Sequence, residues 1–182
     1  MEHDAQIRIQ LQEILAGRHS RAMADKAAQI LLQSDIAFRT GLHMLRYGEQ
    51  PIPQRISWAL EQAVLKNKSI VVPYLDDLVR WLPELGHDAE RRNMTKILAI
   101  SPLPEEELGN LLDQALLWKV SPNQPPAVRA WCTDICGRIA QLEPELKREI
   151  VLSIRESMQH GSVGIKRRNQ MWLERLETSA SH

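Results

Sequence analysis

Apolar residues recur every three or four positions along most of the chain, which is the spacing of one face of an α-helix. In the first segment Ile7, Leu11, Ile14 and Leu15 follow this spacing, and Gly17 comes directly afterwards as a helix terminator. The pattern predicts ten helices, at residues 4–16, 20–33, 35–47, 54–66, 72–82, 89–100, 105–120, 127–142, 145–158 and 163–177. Strand-favouring β-branched and aromatic residues are comparatively scarce. The protein is therefore predicted to be all-α.

Proline and glycine interrupt the helical pattern most strongly at residues 48–53. We therefore predict N-terminal capping helices over residues 1–50, helix pairs over 51–177 and a disordered tail over 178–182. Asp88 is expected to cap the helix that follows it, and Pro104 suits a first helical turn. Short connections imply that consecutive helices run antiparallel.

An arginine recurs near the start of the first helix of each pair. Arg55, Arg92, Arg129 and Arg167 are separated by 37, 37 and 38 residues, with aliphatic residues five or six positions after each. A period of this size is typical of stacked helical arrays. It predicts a single α-solenoid over residues 1–182, a superhelix of nine to ten antiparallel helices. The four arginines are expected to bind carbonyls or carboxylates between its layers.

These residues resemble the HEAT-repeat and armadillo-like α-solenoids, in which a first helix often begins with a proline followed by an arginine. Pro53 with Arg55 and Pro126 with Arg129 carry the resemblance, which covers about residues 51–177. It implies a right-handed superhelix whose second helices line the concave side. Around residues 73–75 and 143–147 the chain also resembles short bacterial helical-repeat proteins that are sometimes named adenylosuccinate lyase.

No enzymatic activity is predicted. The chain is far shorter than adenylosuccinate lyases and has no counterpart of their serine-rich, glycine-containing signature loop. The six histidines are scattered singly, and Cys132 and Cys136 offer two of the three or four ligands that zinc normally needs. We therefore predict no catalytic residue, no metal and no cofactor, with both cysteines buried.

Charge and hydropathy limit the classes of partner and the cellular location that are expected. The chain has 23 basic and 23 acidic residues, so no net field attracts nucleic acid or an anionic membrane. No apolar stretch approaches the roughly 20 residues that span a bilayer, and the N-terminus has no secretory pattern. The two cysteines lie four apart in one helix, where a disulfide would strain the backbone, which favours a reducing compartment. A cytoplasmic location is expected.

In each helix pair the second helix lies at residues 72–82, 105–120 or 145–158. The polar faces of these second helices are the predicted binding surface. Asp77, Arg80, Trp81, Asp113 and Trp118 are expected to hold another protein or peptide, with a basic segment favoured by the acidic side chains. Tryptophans in first helices are expected in the core. The hypothesis is a protein-interaction scaffold or adaptor without catalysis. The alternative is a HEAT-like DNA-binding or DNA glycosylase-type repair protein, since such enzymes resemble this fold and place tryptophans and an aspartate around a damaged base.

Overall fold

The structure, a computed structural model, describes residues 2–159 and 161–178, with no account of the side chains of residues 2 and 3. The ten α-helices are α1 (Glu2–Ala16), α2 (Arg21–Leu31), α3 (Asp35–Tyr47), α4 (Ile52–Lys66), α5 (Leu75–Trp81), α6 (Asp88–Ile100), α7 (Leu108–Val120), α8 (Pro126–Leu142), α9 (Lys147–Ser157) and α10 (Val163–Thr178). Short 3-10 segments occupy Lys68–Tyr74, Leu82–Glu84 and Pro144–Leu146. Over these residues no strand is present, so the all-α prediction is confirmed.

Serine side chains begin two of the helices. Ser20 Oγ accepts from the backbone N–H of Met23 at 3.2 Å, and Ser34 Oγ accepts from that of Ala37 at 3.1 Å. Each bond satisfies one of the free N–H groups in a first helical turn. The predicted boundaries of α3 agree with the structure at both ends.

The starts of several helices differ from the prediction, including those of α5, α6 and α7. The segment before α5 is a 3-10 helix that contains Pro73, and Glu105–Glu107 form bends, so Pro104 does not lie in a helical turn. Asp88 is the first residue of α6 and not its cap. The preceding residue, His87, takes that role, because its Nδ1 accepts from the N–H of Ala89 at 3.1 Å.

The chain divides into two compact units, Met1–Ile97 and Leu98–His182. In the first unit α2 and α3 pack on α4, while α1 packs on α2 and α3. Residues 48–53, the junction that the sequence pattern indicates, lie inside this unit. A Cβ added at Gly41 would overlap Leu31 Cδ2, so glycine permits the close approach of α3 to α2.

In the second unit α8 packs against α7, α9 and α10. Most of α8 is buried, including Cys132, Ile135, Cys136 and Ile139. The predicted tail begins at Thr178, which is the last residue of α10, and residues 179–182 lie outside the described part of the chain.

Each unit holds a buried polar bridge between two first helices, 36 residues apart. Asn93 Nδ2 on α6 donates to Ser57 Oγ on α4 at 2.9 Å, and Thr133 Oγ1 on α8 donates to Asn169 Oδ1 on α10 at 3.0 Å. Buried polar groups of this kind are stable only when they are paired. The bridges are therefore an internal repeat of structure.

Candidate partner-binding surface

Three of the predicted binding residues lie on α5 in the first unit. Asp77 Oδ1 and Arg80 Nη1 form an ion pair at 2.8 Å, with each side chain about half exposed. Trp81 is half-buried, and the guanidinium of Arg46 lies 5.9 Å from its ring centroid. Glu84 in turn binds Arg46 at 2.5 Å. The negative charge of Asp77 is thus already balanced on its own helix.

The other two predicted residues lie on α7 in the second unit, where they differ in exposure. Asp113 is exposed, but Trp118 keeps only 7% of its surface accessible and belongs to the core. Its burial follows the apolar stripe that begins at Leu111. The apolar side chains that α7 does expose are Leu117 and Val120.

An apolar groove opens along α9. Its cavity measures about 550 Å³, and we call it the α9 groove; it is lined by Pro144, Lys147, Arg148, Val151, Leu152, Arg155 and Glu177. Leu152 lies in the middle of α9 with 56% of its surface exposed. Arg155 Nη2 binds Glu177 Oε1 at 2.7 Å, so α10 contributes one wall.

None of the residues that line the α9 groove is among the predicted binding residues, although the sequence contains a signal for the groove. Arg148, Leu152 and Arg155 are spaced at i, i+4 and i+7, which places them on one helix face. The core stripe of the same helix uses Ile150 and Ile154 instead. A leucine outside the core stripe and flanked by cations therefore marks the exposed face.

A buried lysine was likewise missed. Lys119 is fully buried, and its Nζ donates to Ser153 O at 2.6 Å and to Ser157 Oγ at 3.4 Å. Ser157 Oγ also accepts from Asn169 Nδ2 at 2.7 Å, which extends the bonds to Thr133. Burial lowers the pKa of Lys119, since desolvation disfavours its charged form. The network ties α7, α8, α9 and α10 together.

A family model for the HEAT repeat domain matches residues 11–173. The chain belongs to the HEAT repeat family. Comparison with curated proteins and with solved structures finds no match. The range of the HEAT match includes α2 and α3, which the sequence pattern assigns to an N-terminal cap.

Two of the four periodic arginines bind helix C-terminal carbonyls of this HEAT chain. Arg55 Nη1 donates to Leu15 O and, at 2.9 Å, to Gly17 O at the end of α1. Arg129 Nε donates to Lys119 O at 3.0 Å near the end of α7. A cation at these positions complements the negative end of a helix dipole.

The other two periodic arginines lie on the surface. Arg92 is exposed and makes a 3.4 Å bond to the adjacent Asn93, while Arg167 is exposed on α10. Arg138 makes a layer contact that the arginine spacing does not reveal, with Ala99 O at 2.7 Å. The arginine period therefore identifies the HEAT architecture better than it identifies the individual contacts.

The second unit also places an aspartate beside tryptophans. Asp134 accepts from Trp172 Nε1 at 2.7 Å and from Arg168 Nη1 at 2.8 Å, and the Arg168 guanidinium lies 5.2 Å from the Trp131 ring. Burial raises the pKa of Asp134 above its usual range. Because both carboxylate oxygens are bound by α10, the arrangement joins two helices of the HEAT unit.

Among the described residues no group of three or more histidine, cysteine or acidic side chains is placed to hold a metal ion. Cys132 and Cys136 are free and buried, and burial raises the pKa of both, that of Cys136 to about 12. His160 and His182 lie outside the described residues, as does the side chain of His3. In the described residues no helix has the length and apolar character to cross a membrane.

Proposed function

We propose that this HEAT protein is a non-catalytic protein-interaction scaffold or adaptor whose second helices hold a partner. The observation that carries the proposal is the α9 groove, an open apolar cavity of about 550 Å³ on a second helix. HEAT repeats generally mediate protein interactions, and a repeat array forms extended surfaces more readily than enclosed sites.

Leu152 is the centre of this argument. An exposed leucine is common on protein surfaces, but a leucine in a concave apolar site rimmed by charges is typical of an interaction site. Because 56% of its surface is exposed, covering that remainder would contribute about 0.8–1.7 kcal/mol, the same fraction of the about 1.5–3 kcal/mol for a fully exposed leucine. That is enough to make it a main contributor to binding.

The residues predicted on α5 and on α7 remain part of the proposal as separate contact regions, one in each unit. Asp77, Arg80, Trp81 and Asp113 are accessible or partly accessible, whereas Trp118 is withdrawn from it because it is buried. A basic partner segment at Asp77 and Asp113 stays a prediction, as does the assignment of these helices to a concave side.

The test is a quantitative comparison of partner recovery. Tagged full-length protein is expressed in the cells of origin as wild type, as Leu152→Glu and as Leu65→Glu, and the co-purified proteins are measured by mass spectrometry. Leu65 is the matched control because it is an exposed leucine on a first helix, α4.

The recovery of at least one co-purified protein is expected to fall roughly tenfold or more with Leu152→Glu, since a loss of about 1.4 kcal/mol in binding free energy corresponds to a factor of ten. Its recovery with Leu65→Glu should equal that of wild type. Circular dichroism checks that both variants are folded. Equal recovery of every protein from all three forms would refute the proposal.

A further inference from the structure

We propose that the α9 groove binds an acidic amphipathic helix of a partner protein. The proposal rests on the protein-binding function above and specifies the chemistry of the partner at that site. It follows from three observations about the groove: its apolar floor, the charge of its rim and the spacing of its residues.

The floor of the groove is apolar and accessible. Val151 is half-buried and Leu152 is exposed, and Pro144 lines one end. A volume of about 550 Å³ lies within the range of sites that bury a ligand of several side chains. The groove therefore suits apolar side chains of a partner better than a flat polar surface.

The rim of the groove is basic. Lys147, Arg148 and Arg155 line it together with one carboxylate, that of Glu177. Glu177 binds Arg155. Within residues 2–159 and 161–178 the side chains of Lys147 and Arg148 have no hydrogen bond and no ion pair. Two cations without partners beside an apolar floor are complementary to acidic residues that flank apolar ones.

The spacing of the groove residues favours a helical partner. Arg148, Leu152 and Arg155 repeat at helical intervals along about two turns of α9. A second helix laid along α9 presents apolar residues at i, i+3 or i+4 to the floor and acidic residues to the rim. An extended peptide repeats its side chains on one face about every 6.6 Å, which is longer than the rise of about 4.5–6 Å between residues three or four apart on α9.

Other anionic surfaces fit the groove poorly. Glu145 and Glu149 are exposed on either side of Lys147 and Arg148 in sequence, so a large anionic surface would also meet negative charge. Nucleic-acid phosphates would leave the apolar floor uncovered. A protein helix can place its few carboxylates at the cations alone.

The direct test is fluorescence anisotropy with the full-length protein and a labelled helical peptide that carries leucines at i and i+4 flanked by glutamates. One control peptide replaces each glutamate by lysine, and another replaces each leucine by serine. The acidic peptide should bind saturably and more weakly at high salt. Both controls should bind at least tenfold more weakly.

Variants of the protein then locate the binding site. Leu152→Ser and Arg148→Glu should each weaken the acidic peptide tenfold or more, whereas the matched changes Leu117→Ser on α7 and Arg167→Glu on α10 should leave its affinity within about twofold. Glu177→Gln releases Arg155 from its ion pair and should tighten binding about two- to fivefold. A gain of affinity cannot result from unfolding.

Equal binding of the lysine peptide, or no effect of Leu152→Ser, would overturn the inference. So would anionic phospholipid vesicles that bind with the same dependence on Leu152, because the ligand would then be a membrane. If the peptide fails while Leu152→Glu still loses its cellular partner, the proposed function stands and only the acidic helix is refuted.

Discussion

Replacing Gly137 by alanine tests how tightly α8 and α10 pack. A Cβ at position 137 would lie 2.6 Å from Trp172 Cε2 and closer still to Cδ2 and Cε3, whereas ordinary contact begins near 3.4 Å. The indole is buried, and its Nε1 donates to Asp134 Oδ1 at 2.7 Å. The ring therefore cannot make room without losing a buried hydrogen bond.

The cost follows from these contacts. Overpacking a core position costs about 1–3 kcal/mol, and losing a buried hydrogen bond costs about 1–3 kcal/mol more. Alanine recovers about 1 kcal/mol through its higher helix propensity. The free energy of unfolding should therefore fall by about 1–5 kcal/mol.

Urea unfolding monitored by circular dichroism measures the change. Gly164→Ala on α10 is the control, because a Cβ there meets nothing within 4 Å, and it should be neutral or slightly stabilising. In a Trp172→Leu background the added methyl group has room, so Gly137→Ala should cost at least 1 kcal/mol less there. A Gly137→Ala cost below about 0.5 kcal/mol, or the same cost in both backgrounds, would refute the packing argument.

Two further predictions concern the buried charge and the alternative function. The pKa of Lys119 is lowered on folding, so the folded state binds fewer protons than the unfolded state, and stability should rise as pH climbs from the lowered pKa to the unfolded value of 10.5. The free energy of unfolding is measured against pH for wild type and for Lys119→Met, and the difference between the two should rise with pH. Taking the difference reduces the opposing effect of the two buried thiols, which both proteins share. A difference that stays constant between pH 7 and 10.5 would contradict the prediction. Duplex DNA should not bind at low salt, because the chain has no net positive charge; a salt-dependent gel shift would revive the repair-protein alternative.

The helices could be predicted because apolar residues recur every three or four positions along the chain. Ser34 and Gly48 mark both ends of α3, and its predicted boundaries match the structure. The segments around Pro73 and Pro104 were less predictable, since 3-10 turns and bends differ from an α-helix by small changes of backbone angle that side-chain period does not record. The HEAT architecture could be predicted from the arginines and aliphatic residues that recur every 37 or 38 residues.

The candidate site was less accessible to sequence reasoning. Trp118 and Leu152 show why, since both are large apolar side chains on second helices, yet one is buried and the other exposed. The apolar stripe of each helix indicates which of them faces the core, but the groove beside Leu152 also needs the wall that α10 contributes, and that contact is distant in sequence. The burial of Lys119 depends on the same kind of packing. The Asp77–Arg80 pair does not, because its residues are three apart on one helix and their spacing is visible in the sequence.

Site-specific photocrosslinking in living cells tests the central proposal most directly. A photoreactive amino acid replaces Leu152 in the α9 groove or Leu65 on α4, and proteins crosslinked to the full-length chain are identified by mass spectrometry. If the protein is a scaffold that binds through the α9 groove, one dominant partner should crosslink to position 152 through an acidic helical segment. No partner should crosslink to position 65. No protein crosslinked from position 152, or the same proteins from both positions, would contradict the account.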